Sequence, residues 1–193
     1  MSGHIQRKAQ SRARILEEAA GTMREHGHDG IGVAALMKQA GLTHGGFYAH
    51  FPSRDDLVAH AVDRMFADCT ALVSHHLDAG DPRGGLRSLI DYYLSDEARR
   101  GISEGCPLPS LTGSVPRMPS GARRRFEAGI DGFRASLERA FKAIGAAEPA
   151  LMASSTLSEM VGAMALARAF EDDDRANLIL EASREQIKTR LGL

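Results

Sequence analysis

The stretch Val33–Phe51, VAALMKQAGLTHGGFYAHF, decides the fold because it predicts two short helices joined by a tight turn. Val33 and Leu36 recur at helical spacing and begin an apolar face on the first helix. Gly41 ends this helix, since a residue without a Cβ adopts positive φ at little cost. Thr43 is suited to cap a second helix of about eight residues by accepting backbone N–H bonds. A helix-turn-helix of this kind presents its second helix to the major groove of DNA.

The longer run AGLTHGGFYAHFPSRDDL, residues 40–57, resembles the signature of TetR/AcrR-family transcriptional regulators. That signature runs roughly AGVS-x-GTLYxHFxSKExL. The positions in register here are Ala40, Gly41, Leu42, Thr43, Gly45, Phe47, Tyr48, His50, Phe51, Ser53 and Leu57. The resemblance implies an all-α fold with a DNA-reading head and a larger helical domain. It also implies three partners, namely double-stranded operator DNA, a second copy of the chain and a small-molecule effector.

The resemblance and the side-chain chemistry together assign the DNA contacts. His44 is positioned to reach base edges, and Gly45 allows the backbone close to the duplex. Tyr48 can donate its hydroxyl to a phosphate, while Arg54 stands where the family commonly has a phosphate-binding lysine. Phe47 and its neighbour Phe51 are assigned to the core. The candidate DNA-binding residues are Arg7, Lys8, Thr43, His44, Gly45, Gly46, Tyr48, His50 and Arg54.

The bulk composition limits the function classes that remain. The chain has 193 residues, 43% of them hydrophobic, and a formal net charge of -1, so attraction to DNA must come from a local patch. Arg7, Lys8, Arg12 and Arg14 supply one before the first acidic residue, and residues 1–9 are expected to form a loosely ordered basic arm. The two cysteines fit a reducing cytoplasm. We expect neither a signal peptide nor a membrane partner, since no apolar run approaches the roughly 18–20 residues that span a bilayer.

The rest of the chain predicts further helices and no strand. Ser53 and Asp56 form a capping-box arrangement that starts a long helix, which continues to a break at Asp78–Gly85. A second helix is expected to run from there to near Gly101, and residues 101–121 to be irregular with short helices at most. Three more helices follow. The sequence thus predicts an all-α fold of about nine helices. Its domains are a helix-turn-helix unit at 1–52 and an effector-binding and dimerisation domain at 53–193.

The resemblance also implies a ligand cavity in the middle helices and a dimer interface on the last two helices. Methionine and aromatic side chains suit a cavity that accepts apolar ligands. The candidate ligand-binding residues are Phe66, Cys69, Tyr92, Tyr93, Cys106, Phe133, Met160, Met164 and Phe170. A dimer with two reading heads predicts a near-palindromic operator with half-sites spaced by about one helical turn, ~34 Å, or somewhat more.

Cys106 supports a second hypothesis. It lies in GCPLPSL with Arg99 and Arg100 upstream, and cationic neighbours favour the reactive thiolate. The segment resembles the electrophile- and oxidant-sensing, NemR-like subset of the family. The alternative is that Cys106 is a small buried hydrophobic residue.

Enzymatic and metal-binding interpretations are weaker. GISEG at Gly101–Gly105 matches the G-x-S-x-G elbow in letters, but that elbow needs a preceding strand. His75–His76 and Asp172–Asp174 lack metal-ligand spacing, and no cofactor is expected. The sequence therefore predicts a cytoplasmic, DNA-binding transcriptional regulator, favoured as a repressor that a small molecule releases from its operator. The alternatives are a thiol-responsive repressor acting through Cys106, an activator of the same architecture, and a helical enzyme or scaffold without operator recognition.

Overall fold

A computed structural model of the chain describes residues 2–78 and 80–193. Within these residues it contains nine α-helices and no β-strand, which confirms the all-α prediction. The helices are α1 (Ser2–His26), α2 (Val33–Gln39), α3 (Arg54–Leu77), α4 (Pro82–Tyr93), α5 (Asp96–Arg100), α6 (Leu108–Leu111), α7 (Ser120–Ala143), α8 (Pro149–Arg168) and α9 (Asp173–Leu191). Short 3₁₀ helices occur at His28–Gly30, His44–Ala49 and Thr112–Arg117.

The N-terminal unit consists of α1, α2 and the 3₁₀ segment His44–Ala49, hereafter the recognition segment. Gly41 has φ +67°, as the turn requires. Two predictions fail here. The recognition segment is a 3₁₀ helix rather than a regular α-helix, and Thr43 makes no side-chain capping bond. Adjacent Gly45 and Gly46 have low helix propensity, and the segment closes instead through the Thr43 carbonyl, which accepts from the Gly46 N–H at 3.0 Å.

The expected loose arm is wrong for residues 2–9, because α1 begins at Ser2; Met1 lies outside the described residues. Residues 5–10 of α1 are exposed, so Arg7 and Lys8 stand on a helix surface. An ordered helix fixes the spacing of these charges more tightly than a flexible arm would.

Helix α3 is a central helix of the fold and packs against both α1 and α7. Its start is capped as predicted, with the Ser53 hydroxyl accepting from the Asp56 N–H at 3.1 Å. Its 24 residues span about 36 Å at 1.5 Å per residue. Gly129 of α7 makes the close approach possible, since a Cβ there would lie 2.3 Å from the Phe66 ring. One hydrophobic core runs continuously from the N-terminal unit into the larger helical part.

The break after α3 is confirmed on both sides of Ala79, which lies outside the described residues. The helix expected to reach Gly101 ends earlier, at Tyr93. The Ser95 hydroxyl accepts from the Ala98 N–H at 3.1 Å and starts a separate helix, α5. A serine followed by two acidic residues is an N-cap signal that the apolar periodicity concealed. The segment 101–119 contains only α6 and a 3₁₀ helix, as predicted, and α7 begins at Ser120, two residues before the expected end of the irregular segment.

Helix α8 is apolar enough, by length and composition, to cross a membrane, with a mean hydropathy of 1.3. The expectation that no segment reaches this length is therefore wrong on those two criteria. One face of α8 is buried against α7 and α9, and Met160 and Ala167 are fully enclosed there. A core helix of this kind passes the same test without spanning a bilayer.

Candidate nucleic-acid interface and ligand cavity

The recognition segment separates core-facing from solvent-facing side chains as predicted. Phe47 and Phe51 are 1% and 0% exposed, and their rings lie 5.9 Å apart in the core. Thr43 and His44 are exposed, and Tyr48 is 72% exposed. The Tyr48 ring packs edge-to-face on Phe47 at 5.2 Å, which orients its hydroxyl outward. The exposed edge of the segment therefore carries polar side chains supported by a rigid aromatic base.

A groove brings the basic side chains of α1 beside the end of the recognition segment. Arg7, Lys8 and Ser11 line it on one side, and Ala49 and His50 on the other. Burial, followed by the nearby charge of Lys8, lowers the pKa of His50, so its imidazole is neutral at pH 7. An anion bound here would offset the cationic repulsion and favour the protonated imidazole. The predicted DNA contacts Arg7, Lys8 and His50 thus share one electropositive surface.

Arg54 lies at the start of α3, but its guanidinium is engaged within the protein. Nε donates to the Ile31 carbonyl at 3.2 Å, and Nη2 donates to the His28 carbonyl at 2.5 Å. These bonds tie α3 to the turn that precedes α2. Arg54 therefore positions the helix-turn-helix, and its expected phosphate contact stays a prediction.

A cavity of about 110 Å³ lies between α3, α4, α8 and the segment that follows α5. Four of the predicted ligand-binding residues are on its wall, namely Tyr92, Tyr93, Cys106 and Met164. The remaining lining residues are Leu72, Glu97, Ala98, Gly101, Glu104, Gly105, Pro109 and Arg168. For comparison, an apolar cavity of about 150 Å³ accommodates benzene. The space suits a ligand with one small ring.

The other five predicted ligand residues do not line this cavity. Phe66 packs edge-to-face on Phe126 at 5.1 Å, and Phe133 lies against the ring of Tyr93 at 6.1 Å. Phe170 lies under the Arg175 guanidinium at 4.4 Å. Met160 is fully buried and Cys69 is 5% exposed, both within the hydrophobic core. The sequence could not separate cavity from core because both use the same apolar side chains at the same spacing.

Arg168 is a cavity residue that the sequence analysis missed. Its Nε donates to the Arg99 carbonyl at 3.2 Å, its Nη1 to the Ser110 hydroxyl at 2.9 Å and its Nη2 to the Ala98 carbonyl at 2.9 Å. Burial lowers the pKa of Arg168, since the charged form is partly desolvated. The sequence signal that could have identified Arg168 was its position as a charged residue at the end of the long apolar run that forms α8.

The two cysteines of the chain, Cys69 on α3 and Cys106 before α6, are both free and buried. Their thiols are close enough for each to affect the pKa of the other. Burial raises the pKa of Cys106, but the Cys69 thiol, the nearby Tyr93 hydroxyl and the Leu108 N–H outweigh burial and lower it overall. The bond to Cys106, followed by burial, raises the pKa of Cys69 well above its usual value. Cys106 is therefore the member of the pair that more readily becomes a thiolate.

Arg24 connects the N-terminal unit to the cavity region. Its side chain is 3% exposed, and its Nη1 donates to the Ser103 carbonyl at 2.9 Å. Its Nη2 donates to the Met65 carbonyl at 3.3 Å and to the Asp68 carboxylate at 3.2 Å. One guanidinium thus joins α1, α3 and the segment that leads into Cys106. The same segment, GISEG, follows a short helix instead of a strand, so the elbow of a serine hydrolase is absent there.

Comparisons with known proteins agree with this geometry. A helix-turn-helix with an exposed edge, followed by a larger helical domain, is the arrangement of helix-turn-helix regulators. Residues 15–61 match the family described as bacterial regulatory proteins, tetR family. No curated protein sequence matches the chain significantly. Residues 15–61 are therefore similar to the tetR family, and the chain shares its fold with TetR-family transcriptional regulators.

Solved structures show this fold over nearly the full length. The reduced form of NemR from E. coli is 21% identical with a TM-score of 0.82, covering 93% of this chain and 95% of that chain. A TetR-family transcriptional regulator from Agrobacterium tumefaciens is 21% identical with a TM-score of 0.79, covering 93% and 98%. A TetR transcriptional regulator from Chloroflexus aurantiacus is 23% identical with a TM-score of 0.76, covering 97% and 96%.

Proposed function

We propose that this protein is a cytoplasmic transcriptional repressor that binds a near-palindromic operator as a homodimer and leaves it when a small molecule enters the cavity. One observation carries the proposal. The recognition segment exposes His44 and Tyr48, and its last residue, Ala49, lines the basic groove of Arg7 and Lys8. Base-reading and phosphate-binding groups side by side are what sequence-specific DNA binding requires.

The exposed face of α8 supports dimerisation. Leu151 and Leu166 are 64% and 59% exposed, large values for leucine. The exposed positions between them along the same helical stripe are small, namely Ser155, Ser158 and Gly162. An uncharged stripe of small and apolar residues lets a second helix approach closely. A two-fold dimer through α8 and α9 gives two reading heads, hence the near-palindromic operator.

The contacts of Arg24 provide a route from the cavity to the DNA. Gly101 and Glu104 line the cavity, and the Ser103 carbonyl between them accepts from Arg24 of α1. A ligand that shifts this segment also shifts α1 and α3, and with them the separation of the two heads. Moving the equilibrium from ~1:99 to ~99:1 requires about 5.5 kcal/mol of differential ligand affinity.

A mobility-shift assay with the DNA upstream of the gene tests the proposal. His44→Ala is expected to weaken binding to the operator by about 1–3 kcal/mol and to random DNA much less, because a base contact carries specificity. The double variant Arg7→Ala/Lys8→Ala is expected to weaken binding to both DNAs alike. For this variant, the slope of log affinity against log salt should be less steep by about two, since two phosphate contacts are lost.

Arg87→Ala is the matched control, because Arg87 is an exposed arginine on α4 in the larger helical part. Its operator affinity should equal that of the wild type. Salt-insensitive or purely non-specific retardation by the wild type contradicts the proposal and favours a helical enzyme or scaffold. Identical effects of the His44 and Arg7/Lys8 variants would refute the assigned division between base and phosphate contacts.

The pairing of Cys106 with Cys69 favours a second candidate function, a thiol-responsive repressor. A peroxide entering the cavity can be attacked by the Cys106 thiolate, which becomes a sulfenic acid as the O–O bond breaks and hydroxide leaves. The Cys69 thiol can then attack that sulfur, forming a disulfide and releasing water. The disulfide would join α3 to the segment that Arg24 contacts, so oxidation would reach the same coupling elements as a ligand.

Peroxide treatment followed by the mobility shift tests this second function. Peroxide should abolish operator binding by the wild type, and mass spectrometry should show the loss of two hydrogen atoms that accompanies disulfide formation. Thiol reduction should restore both the binding and the mass. Cys69→Ser should stop at an oxidised Cys106 without a disulfide, and Cys106→Ser should keep its operator binding. Equal release of wild type and Cys106→Ser by peroxide contradicts the thiol mechanism and leaves the ligand-responsive repressor intact.

A further inference from the structure

The cavity has an excess of negative charge at its mouth. Glu97 and Glu104 both line it, are exposed, and form no ion pair with any residue that the structure describes. Arg168 is the cationic residue of the same wall, but all three of its guanidinium nitrogens already donate to protein oxygens. Two carboxylates thus stand against one arginine, each of whose guanidinium nitrogens is already bonded to the protein.

The aromatic ring beside these carboxylates is that of Tyr92, and the histidine that packs against it carries no competing positive charge. The Tyr92 ring lies 5.2 Å from the His76 ring. Burial, followed by the charge of His75, lowers the pKa of His76, so this imidazole is neutral at pH 7. Glu97 and Glu104 line the same cavity as the Tyr92 ring, and burial followed by these two carboxylates raises the pKa of Tyr92. An aromatic ring flanked by carboxylates is a favourable environment for an organic cation.

The inner end of the cavity has an unused hydrogen-bond donor. Tyr93 is 4% exposed and lines the cavity, and its hydroxyl has no hydrogen-bond partner among the residues that the structure describes. Its neighbour Cys106 offers only a thiol, which is a weak acceptor. Burial raises the pKa of Tyr93 well above the usual value, so the hydroxyl keeps its proton and can donate. A buried donor without an acceptor is a specific reason to expect a ligand oxygen or nitrogen there.

Building on the proposed function, we infer that the effector is a small organic cation: a single ring with an acceptor atom bonded to the Tyr93 hydroxyl and an ammonium group between Glu97 and Glu104. Leu72 and Met164 contact the ring on the intervening walls. A cavity of about 110 Å³ limits the enclosed part to one ring, while the charged end extends to the exposed mouth.

Three probes that differ only in the head group test the inference by calorimetry on the full-length protein. They are 4-methoxybenzylamine, 4-methoxybenzyl alcohol and 4-methoxybenzoate, and all share the same ring and ether acceptor. The amine is expected to bind about tenfold tighter than the alcohol, since partly exposed ion pairs contribute at this scale, and the benzoate should bind most weakly. Equal or tighter binding of the alcohol or benzoate, or binding of none of the three, overturns the inference.

Two variants separate the two contacts. Glu97→Gln/Glu104→Gln should abolish the preference for the amine over the alcohol, whereas the matched control Glu127→Gln/Glu148→Gln should retain it. Tyr93→Phe conserves the ring and should weaken the amine and the alcohol by similar factors, because both use the ether acceptor. A preference that survives in the Glu97/Glu104 variant refutes the cation site.

Operator retardation by the ligand-free protein is measured separately. A protein that retards its operator but shows no selectivity for the amine refutes the inference and leaves the proposed function standing. A protein that binds the amine selectively but retards no DNA supports the inference and refutes the proposed function.

Discussion

Replacing Arg24 with methionine is expected to destabilise the protein by about 2–3 kcal/mol. The variant keeps a stem of similar length in a site that is 3% exposed, but removes bonds to Ser103, Met65 and Asp68. The loss is smaller than for a fully buried ion pair, since the Asp68 side chain is 35% exposed. The Arg24 Nε, a buried donor without a partner, also disappears and offsets part of the cost.

Arg64→Met is the matched control. Arg64 also bonds to Asp68, at 2.8 Å, but it is 36% exposed and lies four residues away on the same helix. Such a pair contributes at most about 1 kcal/mol. Urea or thermal unfolding distinguishes the two variants, because 2–3 kcal/mol corresponds to roughly 5–10 °C in Tm for a chain of this size.

The functional result is more diagnostic than the stability result. Arg24→Met is expected to retain its operator affinity without ligand, under conditions where it is folded, and to respond less to an effector. If its unfolding free energy falls by no more than that of Arg64→Met, the assignment of Arg24 as the link between α1 and the cavity segment is refuted.

Three further predictions address packing, pH dependence and assembly. Gly129→Ala should cost about 1–3 kcal/mol in unfolding free energy, because its Cβ would overlap the buried Phe66 ring, and an unchanged urea midpoint would contradict this. Hydrogen bonds from Arg99, and then from Arg100, lower the pKa of Asp173 below its usual ~3.9. The stabilisation that this carboxylate provides is therefore present above pH ~3.9 and is lost as the pH falls through the lowered pKa. Asp173→Asn should therefore unfold more easily than wild type at pH 7, and the difference should shrink as the pH falls below about 4, as a thermal-melt series can measure. Leu166→Glu should give a folded monomer by light scattering, whereas a persistent dimer would move the interface away from the exposed face of α8.

The features that could be predicted from the sequence are those with local causes. The positive φ of Gly41 and the capping bond of Ser53 depend on residues within one turn, and both appear as predicted. The 3₁₀ geometry at Gly45 and the helix break before Ser95 also have local causes, but an apolar repeat counts hydrophobic residues and overlooks weak propensity and polar caps. The family resemblance supplied the fold, whereas these local signals explain why it begins and ends where it does.

The cavity could not be predicted to the same degree, because its decisive contacts join distant parts of the chain. Arg24 and Ser103 are 79 positions apart, and Arg168 and the Ala98 carbonyl are 70 positions apart. The sequence does not reveal the bonding partners of either arginine, although Arg168 is marked by its position at the end of a long apolar run. Their roles follow from burial together with carbonyl acceptors on other elements, and both quantities exist only once the helices are packed.

These long-range contacts explain how a small cavity could control a distant DNA surface. The Ser103 carbonyl and Glu104 are adjacent, yet one accepts from α1 and the other faces the ligand space. Cys106, two residues further on, interacts with Cys69 of α3, since this thiol contributes to its lowered pKa. A change of a few tenths of an ångström in this segment must therefore be accommodated by both helices that carry the helix-turn-helix, because close-packed cores transmit strain. A ligand and a disulfide would act on the same short segment, so the two proposed signals are alternative inputs to one coupling device.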